Sequence, residues 1–150
     1  MNVWLFVHIA ERVSLQWDIG PLGDAKMFVE NTDHYALETE EGIAEWAALV
    51  PPDGGVIRIP GHENQPLTIS LFHQLRCLDV LRGAVVSSLQ NRTAADPKTI
   101  HCLNYLRQMV LCRADRYMEN VRDPTAEHVV QFMGEKTCKD WTQVYAALES

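Results

Sequence analysis

The sequence predicts a mainly α-helical single domain built around an antiparallel helix pair, with a few short β-strands and an extended N-terminal arm. Three observations carry this. Apolar residues from Pro66 onward recur as Leu71, Leu75, Leu78, Leu81, Val85 and Leu89, the spacing of one helix face. Asp96-Pro97 then opens a second helix with an N-cap and a proline at its first position. The link from Asn91 to Pro97 is short enough to turn the chain straight back. A length of 150 residues, 47% of them hydrophobic, suits one domain with a core of its own. Residues 1–38 are expected as an arm packed on a domain spanning 39–150.

Taken in order, Met1 to Trp17 reads as a strand or extended arm that lays Trp4 and Trp17 on the core. Its run Val3 to Ala10 is too short to span a bilayer and has no early basic residue. No membrane segment or secretory signal is expected, and the chain reads as soluble. Gly20-Pro-Leu-Gly23 is a turn, and Lys26 to Glu30 a short strand. Thr39 is a good N-cap with acids behind it, opening a helix whose buried stripe would be Ile43, Trp46, Ala47 and Val50. Pro51-Pro-Asp-Gly-Gly55 ends that helix, and Val56 to Ile59 follows as a strand.

The second long helix carries Ile100, Leu103, Leu106, Met109, Val110 and Leu111, with a partly polar stripe of His101, Tyr105, Gln108 and Cys112 facing a partner or cavity. Asp123-Pro124 breaks the chain, and Thr125 to Gly134 could hold one helical turn. In a final helix, Trp141, Val144, Tyr145 and Leu148 have docking spacing. Thirteen basic residues against 20 acidic ones leave a net charge of −7, so binding to nucleic acid has no electrostatic support.

The chemistry lies in a five-residue echo, His73-Gln-Leu-Arg-Cys77 and Lys98-Thr-Ile-His-Cys102. On a helix, positions i, i+3 and i+4 share a face, so antiparallel packing would gather two imidazoles, two cations and two thiols. His73, His101, Cys77 and Cys102 could hold a soft or borderline metal, although Arg76 and Lys98 stand where further ligands would complete the set. A Cys77–Cys102 crosslink is open, and Cys112 and Cys138 would then form a second pair; the alternative is four buried thiols. Cysteine nucleophiles are disfavoured, because no orienting carboxylate stands at a suitable spacing. Tyr105 reads first as a core residue and second as an acid or radical relay. Asn91-Arg-Thr93 is a glycosylation sequon, meaningful only in a secretory compartment.

Four ordered motifs together resemble the UstYa-like family of fungal secondary-metabolite proteins: Glu45-Trp-Ala-Ala-Leu49 before a Pro/Gly turn, Phe72-His-Gln-Leu-Arg-Cys-Leu78, His101-Cys-Leu-Asn-Tyr-Leu-Arg-Gln108 with Leu111-Cys112, and Cys138-Lys-Asp-Trp141. The resemblance covers roughly Thr39 to Leu148. It implies a mycotoxin-pathway tailoring enzyme acting on a small natural-product intermediate by oxidative cyclisation, hydroxylation, dehydrogenation or halogenation. It also implies copper held by the histidines of two HxxHC motifs, and a lumenal domain behind a membrane anchor, where a disulfide and a glycan make sense.

Arg76 and Lys98 replace one histidine in each motif, so the paired-copper scheme does not transfer whole. One reading keeps an oxidase-like metal centre on His73 and His101, with a further ligand such as His34, His62 or His128. The alternative is a metal-free cyclase, isomerase or dehydratase, with His73 or His101 as general acid/base and Arg76 and Lys98 stabilising an anion. The third is a non-catalytic subunit in a homo- or hetero-oligomer.

Overall fold

A computed structural model describes residues 16–58, 66–91, 96–121 and 130–149, with the side chain of residue 91 excepted. Two helices dominate it, α2 (Ser70–Asn91) and α3 (Pro97–Arg113). They run antiparallel. Cys77 is bonded to Cys102 while His73, one turn earlier on α2, stacks on Tyr105, about one turn later on α3. The expected cap of α3 is present, with the Asp96 carboxylate accepting from the backbone N–H of Thr99 at 2.9 Å and Pro97 opening the helix. Its far end closes on Ala114 in the left-handed region, at φ 47°.

Helix α2 begins at Ser70 rather than near Pro66. Leu67–Thr68 instead forms β3, antiparallel to β2 (Val56–Ile57). The carbonyl of Ile69 accepts from the N–H groups of Phe72 and His73, and the helix starts there. The other strands are β1 (Asp24–Val29), β4 (Asn120–Val121), β5 (Val130–Gln131) and β6 (Gly134–Lys139). β1 and β6 pair along their full length, from Asp24 opposite Lys139 to Val29 opposite Gly134. This ties Asp24–Val29 to the C-terminal part of the chain. β4 and β5 make a third two-stranded sheet.

Thr39 caps α1 (Glu40–Ala48) by accepting from Gly42 N–H at 3.0 Å. The buried stripe expected on this helix is corrected. Ile43 is 43% exposed and Ala47 is also exposed, whereas Gly42 is buried against the backbone of Ala36, where a Cβ would clash. Trp46 is half-buried, and its indole N–H donates to the Tyr35 carbonyl at 2.8 Å.

Among the described residues the packed centre is small. Phe72 is fully buried and meets Tyr145 edge-on at 5.1 Å, and the Tyr145 hydroxyl donates to the Leu49 carbonyl. Tyr145 therefore docks α4 (Thr142–Leu148) between α1 and α2. Of its expected docking set, Val144 is buried, Tyr145 and Leu148 are half-buried, and Trp141 is exposed. Gly55, at φ +63°, lies so close to the Phe72 ring that any Cβ there would overlap it. Much of the apolar spacing of the long helices faces outward, including Leu78, Val85 and Leu89 on α2 and Ile100, Leu103, Val110 and Leu111 on α3. Periodicity located these helices, but it assigned more of their apolar residues to the core than the fold encloses.

The expected strand over Met1 to Trp17 lies mostly outside the described residues, as do Ile59 and the first half of the segment from Thr125 to Gly134, whose described half holds β5 and the start of β6 rather than a helical turn. Among the described residues no helix is long and apolar enough to cross a membrane.

Candidate functional site

The crosslink sets the geometry. Cys77 and Cys102 are both buried, their α-carbons 4.9 Å apart, and their bond spans 25 positions of sequence. His73 lies one turn before Cys77, and His101 is next to Cys102, so the bond fixes both histidines at one level of the helix pair. Their ring centroids are 5.9 Å apart and nearly parallel. Tyr105, one turn beyond His101, stacks on His73 at 4.0 Å and lies parallel to His101 at 6.3 Å. Three residues from the echo and its flank thus form one aromatic face.

Burial, the neighbouring His101 and the positive charge of Arg76 together lower the His73 pKa below its ordinary 6.5. His73 is therefore a neutral imidazole at neutral pH, able to accept a proton. His101 is exposed, and Tyr105 is half-buried.

The cations do not join the rings. Lys98 is exposed in the first turn of α3, where its charge bears on Asp96. Arg76 points to the loop between α1 and β2, where a Cβ on Gly54 would run into its guanidinium. Arg76 also lines a cleft of about 280 Å³ with Trp46, Ala47, Val50, Pro51, Pro52 and Asp79. Sequence reasoning did not foresee this pairing of Arg76 with the Gly54–Gly55 turn, although two consecutive glycines after a proline pair signal a close backbone approach.

The second disulfide is corrected as well. Cys112 is an exposed free thiol near the end of α3, and Cys138 is a free thiol on β6. The Asn91 side chain, Arg92 and Thr93 fall outside the described residues, so the glycosylation site does too.

The donor set does not fit copper on its own. Cys77 and Cys102 hold each other and offer no thiolate, Arg76 cannot ligate, and two imidazoles remain where three or four donors are needed. Among the described residues no cluster of three or more His, Cys, Asp or Glu could hold a metal ion. His34 is engaged with Glu45 at 2.5 Å, and His62 and His128 lie outside the described residues.

A family model described as mycotoxin biosynthesis protein UstYa matches residues 26–146. The chain belongs to the UstYa family. Among its curated relatives, UstYa family oxidase phomYb of Diaporthe leptostromiformis is 28% identical over 117 residues, covering 67% of this chain and 47% of that protein. UstYa family oxidase phomYd of the same fungus is 32% identical over 139 residues, covering 87% of this chain and 41% of that protein. Oxidase ustYa of Aspergillus flavus is 34% identical over 86 residues, covering 54% of this chain and 39% of that protein. This UstYa-family chain thus spans less than half the length of these relatives. No solved structure matches it.

Proposed function

We propose that this UstYa-family chain is a tailoring enzyme of fungal secondary-metabolite biosynthesis that works at the His73, His101 and Tyr105 face, with His73 as the proton acceptor. The observation that carries the reading is the convergence of two imidazoles and a phenol, from motifs 25 positions apart, on a disulfide-locked helix pair. Their pre-set separation means that a bound substrate meets groups already oriented.

A neutral His73 can remove a proton from a carbon next to a carbonyl, and the electron pair of the broken C–H bond moves onto the carbonyl oxygen as an enolate. Return of that proton to a different carbon gives isomerisation. If His101 in its protonated form instead gives its proton to a departing hydroxyl, the product has lost water. Tyr105 holds the His73 ring in plane by stacking and restricts its rotation.

Oxidation is the second reading, favoured by the printed names of the relatives. On this reading a metal would recruit a donor beyond the described residues, with His62 and His128 the histidines to examine.

Deleting the gene in the producing fungus and restoring it as wild type, His73→Ala or His101→Ala tests both readings. Only the wild type is expected to convert the accumulated intermediate, with each variant still secreting or accumulating folded, crosslinked protein. Unchanged mass or loss of water in the product supports proton chemistry, whereas loss of two hydrogens or gain of an oxygen atom supports oxidation. Full conversion by both variants would leave the chain a non-catalytic subunit.

A further inference from the structure

Arg76 stands where a second histidine of the first motif would be, and the fold gives it a different setting. Its side chain is exposed, and among the described residues it makes no hydrogen bond or ion pair. Asp79, in the same cleft, is already held by Arg82 at 2.7 Å, and Asp53 accepts from the N–H of Gly55 at 2.9 Å. Asp79 and Asp53 thus each hold a partner other than Arg76. Gly54, buried and at φ +79°, leaves room for the guanidinium against bare backbone. The rest of the cleft is apolar: Trp46, Ala47, Val50, Pro51 and Pro52. A planar, fixed cation with five donors and, among the described residues, no hydrogen-bond or ion-pair partner, at the rim of an apolar wall, matches a carboxylate carried on an apolar body.

We propose that this cleft binds a free carboxylate of the substrate on Arg76, with the substrate's apolar portion lying on Trp46, Pro51 and Pro52. Arg76 is one helical turn from His73 on α2, although its guanidinium turns to the Gly54–Gly55 loop and the cleft lining does not include the imidazoles. The assignment of the ligand as substrate rests on the proposed role of the His73 face, whereas its binding does not. Arg76 is then a specificity residue that selects acids over their neutral amides.

The test uses the full chain with its disulfide intact and two probes, N-acetylphenylalanine and N-acetylphenylalaninamide, followed by the NMR signals of the Trp46 indole and the Gly54 amide. The acid is expected to shift both signals and to bind roughly tenfold more tightly than the amide, the scale of one charge-assisted pair. Arg76→Gln should abolish that preference without changing amide binding, Arg76→Lys should keep part of it, and His73→Gln should leave it intact. Equal binding of acid and amide, unchanged preference in Arg76→Gln, or no binding of the acid at millimolar concentration would overturn the proposal. Conversion of substrate by the His73 variants would refute the catalytic reading and leave the carboxylate site standing.

Discussion

The two copies of the five-residue echo share a spacing and end in the same disulfide, yet they present different chemistry. The first copy lies inside α2, one residue after the fully buried Phe72, so its histidine is half-buried, shielded by Tyr105, and held neutral. The second copy occupies the opening turns of α3, next to solvent, so His101 and Lys98 are both exposed. Helical spacing decides which side chains share a face. Distance from the helix end and from the packed centre decides what those side chains can do.

Removing the bond that joins the copies should have the largest effect. Cys102→Ala releases a crosslink spanning 25 positions, and the unfolded chain regains loop entropy worth about 3.5 kcal/mol. Urea denaturation should show that loss, and the ring contacts of His73 with Tyr105 should weaken with it. A stability equal to wild type would mean that side-chain packing alone holds the copies together.

A smaller effect separates the second copy from the first. Asp96→Ala removes the cap that holds the turn bearing Lys98 and His101, and should cost about 1 kcal/mol. Hydrogen exchange should quicken in the first turn of α3 and stay unchanged around His73. Equal loosening at both places would show that the two turns open as one unit.

The smallest expected effect is in pH dependence. Because the His73 pKa in the fold lies below its unfolded 6.5, the unfolded chain takes up the proton first. The contribution of His73 to stability is therefore complete above pH 6.5 and is lost as the pH falls through the lowered value. His34, raised above 6.5 by its hydrogen bond and charge contact with Glu45, has the opposite sign: its contribution is present below 6.5 and is lost as the pH rises through the raised value. NMR titration of the ring protons should place His73 below His34.

Local signals carried much of the fold. Asp96-Pro97 and Thr39 marked helix starts because capping depends on a few adjacent residues, and the matched echo left open the Cys77–Cys102 bond that the fold makes. What escaped depends on contacts between remote segments. Burial of Gly42 in place of Ile43 follows from the approach of Ala36, and the direction of Arg76 follows from the Gly54–Gly55 turn. Leu67–Thr68 paired with Val56–Ile57 because a neighbouring strand was available, which helical periodicity does not register. The spacing of Cys112 and Cys138 gave no information on whether β6 and the end of α3 would bring them together.

The central claim is that residues 73, 101 and 105 form one face in the folded chain. Ring-to-ring NOE spectroscopy on the oxidised full chain tests it most directly, with the histidines and tyrosines selectively labelled. The account predicts cross-peaks between the ring protons of His73 and Tyr105 that fade when the Cys77–Cys102 bond is reduced. A folded, oxidised protein without those cross-peaks would contradict it.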